Sequence, residues 1–377
     1  MSEQTDGADP RWAIRLAEPS FDDGDIEAVT ALLKAGALAG GEQVPALERE
    51  LESGSGVHVS AVSSGTAALH LAARALGLGA GAPVLVPAFT FAASANAFLA
   101  NGCSVVPVDV DADTYNISCS DLSRAIDEHR DARAVVVVDL YGSTAGTDDA
   151  IDMARQRGLV VIEDAAQAHG ATDSRGQPVG RRADATTLSF YATKNVAAGE
   201  GGAVLSPDPS LVQEVSLLRS HGSVDARVFS RISLNYRMTE LAACLARRQL
   251  SRLAENNARR QKNARAVAER FVSVWGDRVV VPSVAGEADG GHVFHQFTVK
   301  FRTPQDREVA RRRLGELGVE TKVFYPYTIG ELPGVTSRPT PVAEHLRDRV
   351  LSIPVHPNIG AERIDLLLDA IREAARD

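Results

Sequence analysis

Cysteine is scarce: Cys103, Cys119 and Cys244 are the only three in 377 residues. An odd number at wide spacing supplies neither a disulfide framework nor a CxxC metal site, and suits the reducing cytoplasm. Long hydrophobic runs are missing too. The longest, at 134–138 and 158–162, fall far short of the roughly 18–20 apolar residues of a membrane-spanning helix and read as buried strands, so no membrane partner is expected. Residues 1–10 are polar, without a basic stretch followed by an apolar one. No secretory signal is expected, and 1–15 reads as a flexible N-terminus. Positive charge is in deficit, with 40 Lys and Arg against 49 Asp and Glu and a formal net charge of -9. Nucleic acid is therefore not an expected partner, because phosphate recognition needs a basic face. The arginines at 259–260 and 311–313 sit among acidic neighbours and read as solvated helix faces.

What is present is ordinary globular material. With 44% hydrophobic and 24% charged residues the chain can bury a sizeable core, and its length predicts two or three domains, or one large domain with a smaller appendage. From about residue 60 to 206, short apolar runs (84–87, 104–108, 134–140, 159–162, 187–191, 202–205) alternate with helix-length amphipathic stretches (66–76, 91–99, 121–129, 148–157). This predicts an α/β fold in which helices flank a mostly parallel sheet and ligands bind beyond the carboxyl ends of the strands. After a helical zone at 239–271 the pattern becomes a strand at 296–301, a helix at 305–317, a strand at 319–324 and a helix at 361–375. The expected division is a large domain over 16–255 and a smaller C-terminal α+β domain over 256–377, with a flexible loop at 285–291.

Several patterns carry no chemistry. The glycines at 77–82 fit a loose dinucleotide fingerprint, but they follow a helix and precede a strand, the reverse of the required order. His292 and His295, three apart in an extended segment, point to opposite faces, so no metal site is expected.

Three segments remain. Ser63-Ser64-Gly65-Thr66-Ala67 is a small-residue turn opening a helix. Its free amides and hydroxyls at the positive end of the helix dipole suit a phosphate, and equally suit an ordinary N-cap. In the stretch from Val160 to Gly170 a hydrophobic strand delivers Asp164 to the binding edge, followed by Gln167 and His169. A carboxylate there keeps a heteroaromatic nitrogen protonated by stabilising its cation, or caps a helix. Lys194 lies between the apolar run 187–191 and a glycine-rich turn at 199–202, an enclosed setting in which a lysine sheds its charge and becomes a nucleophilic amine, with the Ser189 hydroxyl nearby. An anion site, a carboxylate for a ring nitrogen and an enclosed lysine are the groups that pyridoxal phosphate requires.

Ten ordered motifs extend the pattern over nearly the whole chain, from about residue 20 to 375: SSGTAALHLAARALGLGAG, VPAFTFAASANAFLANG, PVDVDADTYNI, VVVVDLYGSTAG, VIEDAAQAHGA, LSFYATKN, GEGGAVLS, LRSHG, NYRMTELAA and LSIPVHPNI. Together they resemble the DegT/DnrJ/EryC1/StrS sugar aminotransferases, enzymes of fold-type I. The resemblance implies a pyridoxal 5'-phosphate enzyme that moves an amino group from glutamate or glutamine to a keto sugar, probably nucleotide-linked. It makes Lys194 the catalytic lysine that binds the cofactor's aldehyde. Asp164 would pair with the ring nitrogen, Gln167 would bond the phenolic oxygen, and Phe91 would stack on the ring or serve as a core phenylalanine. Ser64, Gly65, Thr66, Ala67 and Ser189 would hold the phosphate, joined by Asn235 from the partner of a homodimer with shared active sites. His169 and Tyr325 are candidates for the sugar pocket, and ordinary packing would account for either. Tyr327-Thr328-Ile329 stands where the family commonly has Pro-Leu-His, which implies an altered substrate side. A carbocyclic ketone is the rival substrate, and a non-catalytic cofactor-binding regulator the rival class. A dehydratase branch, which carries histidine in place of the lysine, is disfavoured by Lys194.

Overall fold

The computed structural model describes residues 11–224, 228–284 and 291–376. Seven strands form the main sheet: β1 (His58–Val62), β2 (Pro83–Pro87), β3 (Ser104–Val108), β4 (Ala134–Val138), β5 (Val160–Asp164), β6 (Ala185–Ser189) and β7 (Gly202–Ser206). Their order is β1-β7-β6-β5-β4-β2-β3. All run parallel except β7, which pairs antiparallel with both β1 and β6. Strand β4 reads Ala-Val-Val-Val-Val and is buried throughout, the composition of a parallel strand covered on both faces.

Helices α1 (Asp23–Ala35) and α2 (Gln43–Ser55) precede the sheet. Helices α3 (Gly65–Ala75), α4 (Ala93–Leu99), α5 (Cys119–Glu128) and α6 (Thr147–Gln156) are the crossovers that parallel strands require, and α7 (Pro209–Leu218) follows β7. Each crossover returns the chain to the same sheet edge, so the carboxyl ends of β1, β4, β5 and β6 converge there. Helix α8 (Glu240–Leu250) leads into the long α9 (Leu253–Trp275), whose first turn contains the expected domain boundary at 255–256.

A three-stranded antiparallel sheet follows, ordered β10 (Val350–Ile353), β9 (Phe297–Phe301) and β8 (Val279–Val280), with helices α10 (Pro304–Glu316), α11 (Pro341–Arg347) and α12 (Ala361–Ala374). Its core is aromatic: Phe301 meets Trp275 edge-on at 5.2 Å between centroids, and Phe271 at 6.4 Å. Ile14 belongs to this core and bonds Gly318 and Glu320 through its backbone, which ties residues 11–16 to the small sheet. The expected flexible N-terminus is therefore packed from residue 11 onward, while residues 1–10, like residues 285–290 of the expected loop, lie outside the described residues. Among the described residues no helix is long and apolar enough to cross a membrane.

The strand expected at 319–324 does not form. Val319 makes one bridge to Ile14 and Lys322 one to Ser352, and the two-residue β8 takes the third place in the sheet instead. The segment leaves the small sheet because its end is held elsewhere: the Tyr141 hydroxyl, from the large domain, donates to the Phe324 carbonyl. Strand β6 ends at Ser189, two residues earlier than the apolar run implies, because Phe190 and Lys194 enter turns closed by Gly201 and Tyr191 carbonyls.

Two carboxylates fasten the C-terminal segment to the large domain. Asp109 accepts the Val342 and Ala343 amides at 2.9 Å each, satisfying the start of α11. Asp121 on α5 accepts the Asp109 amide at 2.7 Å and two nitrogens of Arg338. Burial pushes the Asp121 carboxyl up, but Arg338, the Asp109 amide and Arg124 outweigh it and hold it down to about 2. A depressed carboxylate stabilises the fold above its unfolded pKa and loses that contribution as pH falls through the folded value. The network should therefore contribute about 2 kcal/mol at neutral pH, lost between about pH 4 and 2. Arg338→Gln should lower the urea-unfolding free energy at pH 7 by at least that amount and flatten its acid slope. An unchanged slope would contradict the assignment.

Candidate active site

The first turn of α3 reaches the sheet edge with Ser64 as its N-cap, whose hydroxyl accepts the Ala67 amide at 3.1 Å. The Gly65 and Thr66 amides have no partner within the helix. A Cβ at Gly65 would lie 2.7 Å from the Ser189 Cβ, so only glycine lets the helix start approach the end of β6 this closely. The Ser189 hydroxyl, which accepts the Tyr191 amide at 3.4 Å, thus sits beside free backbone donors at the positive end of an 11-residue helix. Ala67 is buried beneath this turn and Thr66 is exposed.

Asp164 ends β5 and is 6% exposed. Its carboxylate accepts the Ser94 hydroxyl at 2.7 Å and the Ala166 amide at 3.2 Å. Burial raises its pKa, opposed by these two donors and by the charge of Lys194. Lys194 follows β6 in a turn, its amide donating to the Tyr191 carbonyl at 2.8 Å. Burial pulls the Lys194 ammonium down to about 8 against the attraction of Asp164, so much of it is neutral in mild base.

Gln167 is fixed at both ends of its amide: its oxygen accepts the Tyr141 amide at 2.6 Å, and its nitrogen donates to the Tyr325 hydroxyl at 3.0 Å. Tyr325 is buried, lies 5.7 Å from the Phe91 ring and 5.8 Å from the Tyr327 ring, and has its phenol pKa raised by burial. Phe91 is 53% exposed, and the Tyr327 hydroxyl accepts the Ala92 amide at 3.2 Å. The segment that replaces Pro-Leu-His therefore stands against the start of α4, at the rim where Phe91 is open to solvent.

His169 lies deeper. It is 3% exposed, its ring is 5.5 Å from Phe190, and neither ring nitrogen has a hydrogen-bond partner. Burial, then the charge of Lys194, push its pKa down to about 3, so it is neutral. Asn235 stands apart from this group. Its side chain is exposed and accepts the Arg237 amide at 3.2 Å, while Phe229, Ile232 and Leu234 nearby are exposed apolar side chains. His292 stacks on Phe294 and His295 turns to Asn195, so the two histidines do not converge. No metal-binding cluster exists among the described residues.

The structure thus gathers Ser64, Gly65, Ser189, Asp164, Gln167, Lys194, Phe91 and Tyr325 at one edge. Ser94 and Tyr141 are hydrogen-bond partners of these residues that the sequence did not single out. Both sit in quoted motifs, but nothing in a linear pattern shows that Ser94 bonds Asp164 or that Tyr141 bonds Gln167.

Comparison with known proteins gives the family. The model of the DegT/DnrJ/EryC1/StrS aminotransferase family matches residues 19–372. A UDP-N-acetyl-3-dehydro-alpha-D-glucosamine 3-aminotransferase of Acidithiobacillus ferrooxidans is 37% identical over 342 residues, covering 88% of each chain. Among solved structures, DesV of Streptomyces venezuelae, in complex with a ketimine intermediate, superposes with a TM-score of 0.87 at 31% identity, covering 94% of this chain and 95% of that one. NtdA of Bacillus subtilis, with bound cofactor PMP, gives a TM-score of 0.86 at 27% identity, covering 95% and 83%. The chain belongs to the DegT/DnrJ/EryC1/StrS aminotransferase family and is one of its pyridoxal-phosphate-dependent enzymes.

Proposed function

We propose that this enzyme transfers an amino group from glutamate or glutamine to a keto sugar carried on a nucleotide. The observation that carries the reading is Lys194, its pKa lowered to about 8, set with Asp164 at the sheet edge that the free N-terminus of α3 also reaches. The residues suit pyridoxal phosphate. The close approach of Gly65 to Ser189 sets two serine hydroxyls beside the unpaired amides at the start of α3, a group that fits a phosphate, and Asp164 is a buried carboxylate that fits a cationic ring nitrogen.

When bound, the cofactor supplies an aldehyde that condenses with amines and a ring that accepts electrons as a proton leaves the adjoining carbon. The Gly65 and Thr66 amides and the Ser64 and Ser189 hydroxyls would hold its phosphate, while Ala67, whose amide is taken by the Ser64 hydroxyl, would support the turn from beneath. Asp164 keeps a proton on the ring nitrogen, and the Ser94 hydroxyl orients that carboxylate. Gln167, locked by Tyr141 and Tyr325, would offer its remaining N–H to the phenolic oxygen, and the exposed Phe91 would cover the ring. The Lys194 amine, half-buried and neutral in part because desolvation lowers its pKa, moves a proton away from the donor's α-carbon and later returns one to the sugar carbon. Tyr325 borders the substrate side, and His169 contributes a neutral ring beside Lys194.

In the same reading Asn235 serves the partner's phosphate in a homodimer. It is exposed among apolar side chains and bonds none of its own chain's gathered residues. A two-fold axis makes that exchange reciprocal, so each site draws on both chains.

Adding glutamate or glutamine to cofactor-loaded enzyme should bleach the visible absorbance, and a nucleotide-linked keto sugar should restore it. Lys194→Ala should keep cofactor noncovalently and lose about a thousandfold or more in turnover. No bleaching with any amino donor would favour a cofactor-binding regulator, and restoration by a carbocyclic ketone alone would replace the sugar. For the shared site, mixing Lys194→Ala with Asn235→Asp chains should restore up to about half the wild-type activity per heterodimer, because one site collects both lesions. A verified heterodimer without recovery would contradict it.

A further inference from the structure

Asn195, the residue after Lys194, is 5% exposed and fully committed. Its nitrogen donates to the Asn257 Oδ1 at 2.8 Å and to the Val293 carbonyl at 3.3 Å, and its oxygen faces the His295 Nδ1 at 3.2 Å. Since an amide oxygen only accepts, His295 carries its proton on Nδ1. Asn257, on α9, also donates from Nδ2 to the His169 carbonyl at 2.9 Å. It therefore spans two chain segments of the site, the one bearing Lys194 and the one bearing Asp164 and Gln167.

The stretch 293–296 completes the clamp. The Val293 amide donates to the Gly142 carbonyl at 2.9 Å and the Gln296 amide to the Tyr141 carbonyl at 3.2 Å, so it also holds the turn whose Tyr141 amide fixes Gln167. Arg260, buried one turn along α9 from Asn257, directs its guanidinium to the Phe294 and His295 carbonyls. Close approach is built in: Gly170 has φ +77, and a Cβ there would lie 2.9 Å from the Asn257 Nδ2 and 3.2 Å from Leu253. These contacts join three loops at the carboxyl edge of the sheet through a few buried amides and one neutral imidazole, a connected network in which each polar group depends on the others.

We propose that Asn257 and His295 are positioning residues for Lys194: by holding the Asn195 amide they set where the lysine stands relative to Asp164 and Gln167. The inference rests on the reading of Lys194 as the cofactor-carrying lysine. A displacement of about an ångström at a reacting group costs on the order of a hundredfold in rate, so a clamp on the adjacent residue acts directly on turnover.

The test uses the full chain with and without cofactor. In cofactor-free protein, the pH dependence of Lys194 carbamylation by cyanate, read by peptide mass, should show a midpoint near 8 in the wild type. Asn257→Leu, which keeps volume and removes both bonds, should raise that midpoint by about one pH unit as water reaches the amine. In the loaded enzyme its kcat should fall by about ten- to a hundredfold, with KM for the amino donor changed by less than about threefold. His295→Leu should do the same and His295→Gln, which retains a donor, should restore both readouts; this pair decides the matter if Asn257→Leu does not fold. Folded variants with wild-type midpoint and kcat would overturn the proposal, as would a reduced kcat with an unmoved midpoint, which marks a merely structural loss. If Lys194 is not the cofactor's lysine, it stays unlabelled by cofactor even in the wild type, an outcome separate from any result on the clamp.

Discussion

A half-buried ammonium and a buried carboxylate, Lys194 and Asp164, share one edge of one sheet. Burial disfavours both charges, and their mutual attraction offsets only part of the cost, so the amine falls to about 8 while the carboxyl rises. An isolated buried pair of this kind would weaken the fold. The carboxylate is satisfied by its surroundings, because the Ser94 hydroxyl and the Ala166 amide both donate to it. The same desolvation that costs stability frees a nucleophile, so the site's chemistry and its strain have one origin.

That edge exists because the topology returns each parallel strand to it. Ser64 follows β1, Asp164 ends β5 and Ser189 ends β6, residues far apart in sequence. The small domain closes the edge from the other side through Tyr325, whose hydroxyl meets Gln167, and through the stretch 293–296. Some of the contacts between the domains thus fall on residues that orient the site. The Asp109, Asp121 and Arg338 network fastens the same C-terminal segment from behind.

Much of this was legible in the sequence. Alternating apolar runs and amphipathic stretches gave the parallel sheet because period and composition report burial directly, and β4 is the clearest case. Asp164, Lys194 and the Ser64 turn could be paired because each residue type has few uses in its setting. The failure at 319–324 is equally physical: alternation marks a strand-competent segment, but the Tyr141 hydroxyl holding Phe324 decides where it goes. Strands β8 and β10 escaped notice because two and four residues leave too little periodicity. Ser94, Tyr141, Asn257 and His295 were silent for a third reason. Their roles lie in long-range hydrogen bonds, which no local pattern encodes.

The most direct measurement of the central claim is borohydride reduction of the cofactor-loaded enzyme followed by peptide mass mapping. The account predicts a pyridoxyl adduct on the peptide containing Lys194 and on no other lysine. An adduct on Lys34, Lys262, Lys300 or Lys322, or a loaded enzyme that reduction leaves unlabelled, would contradict it.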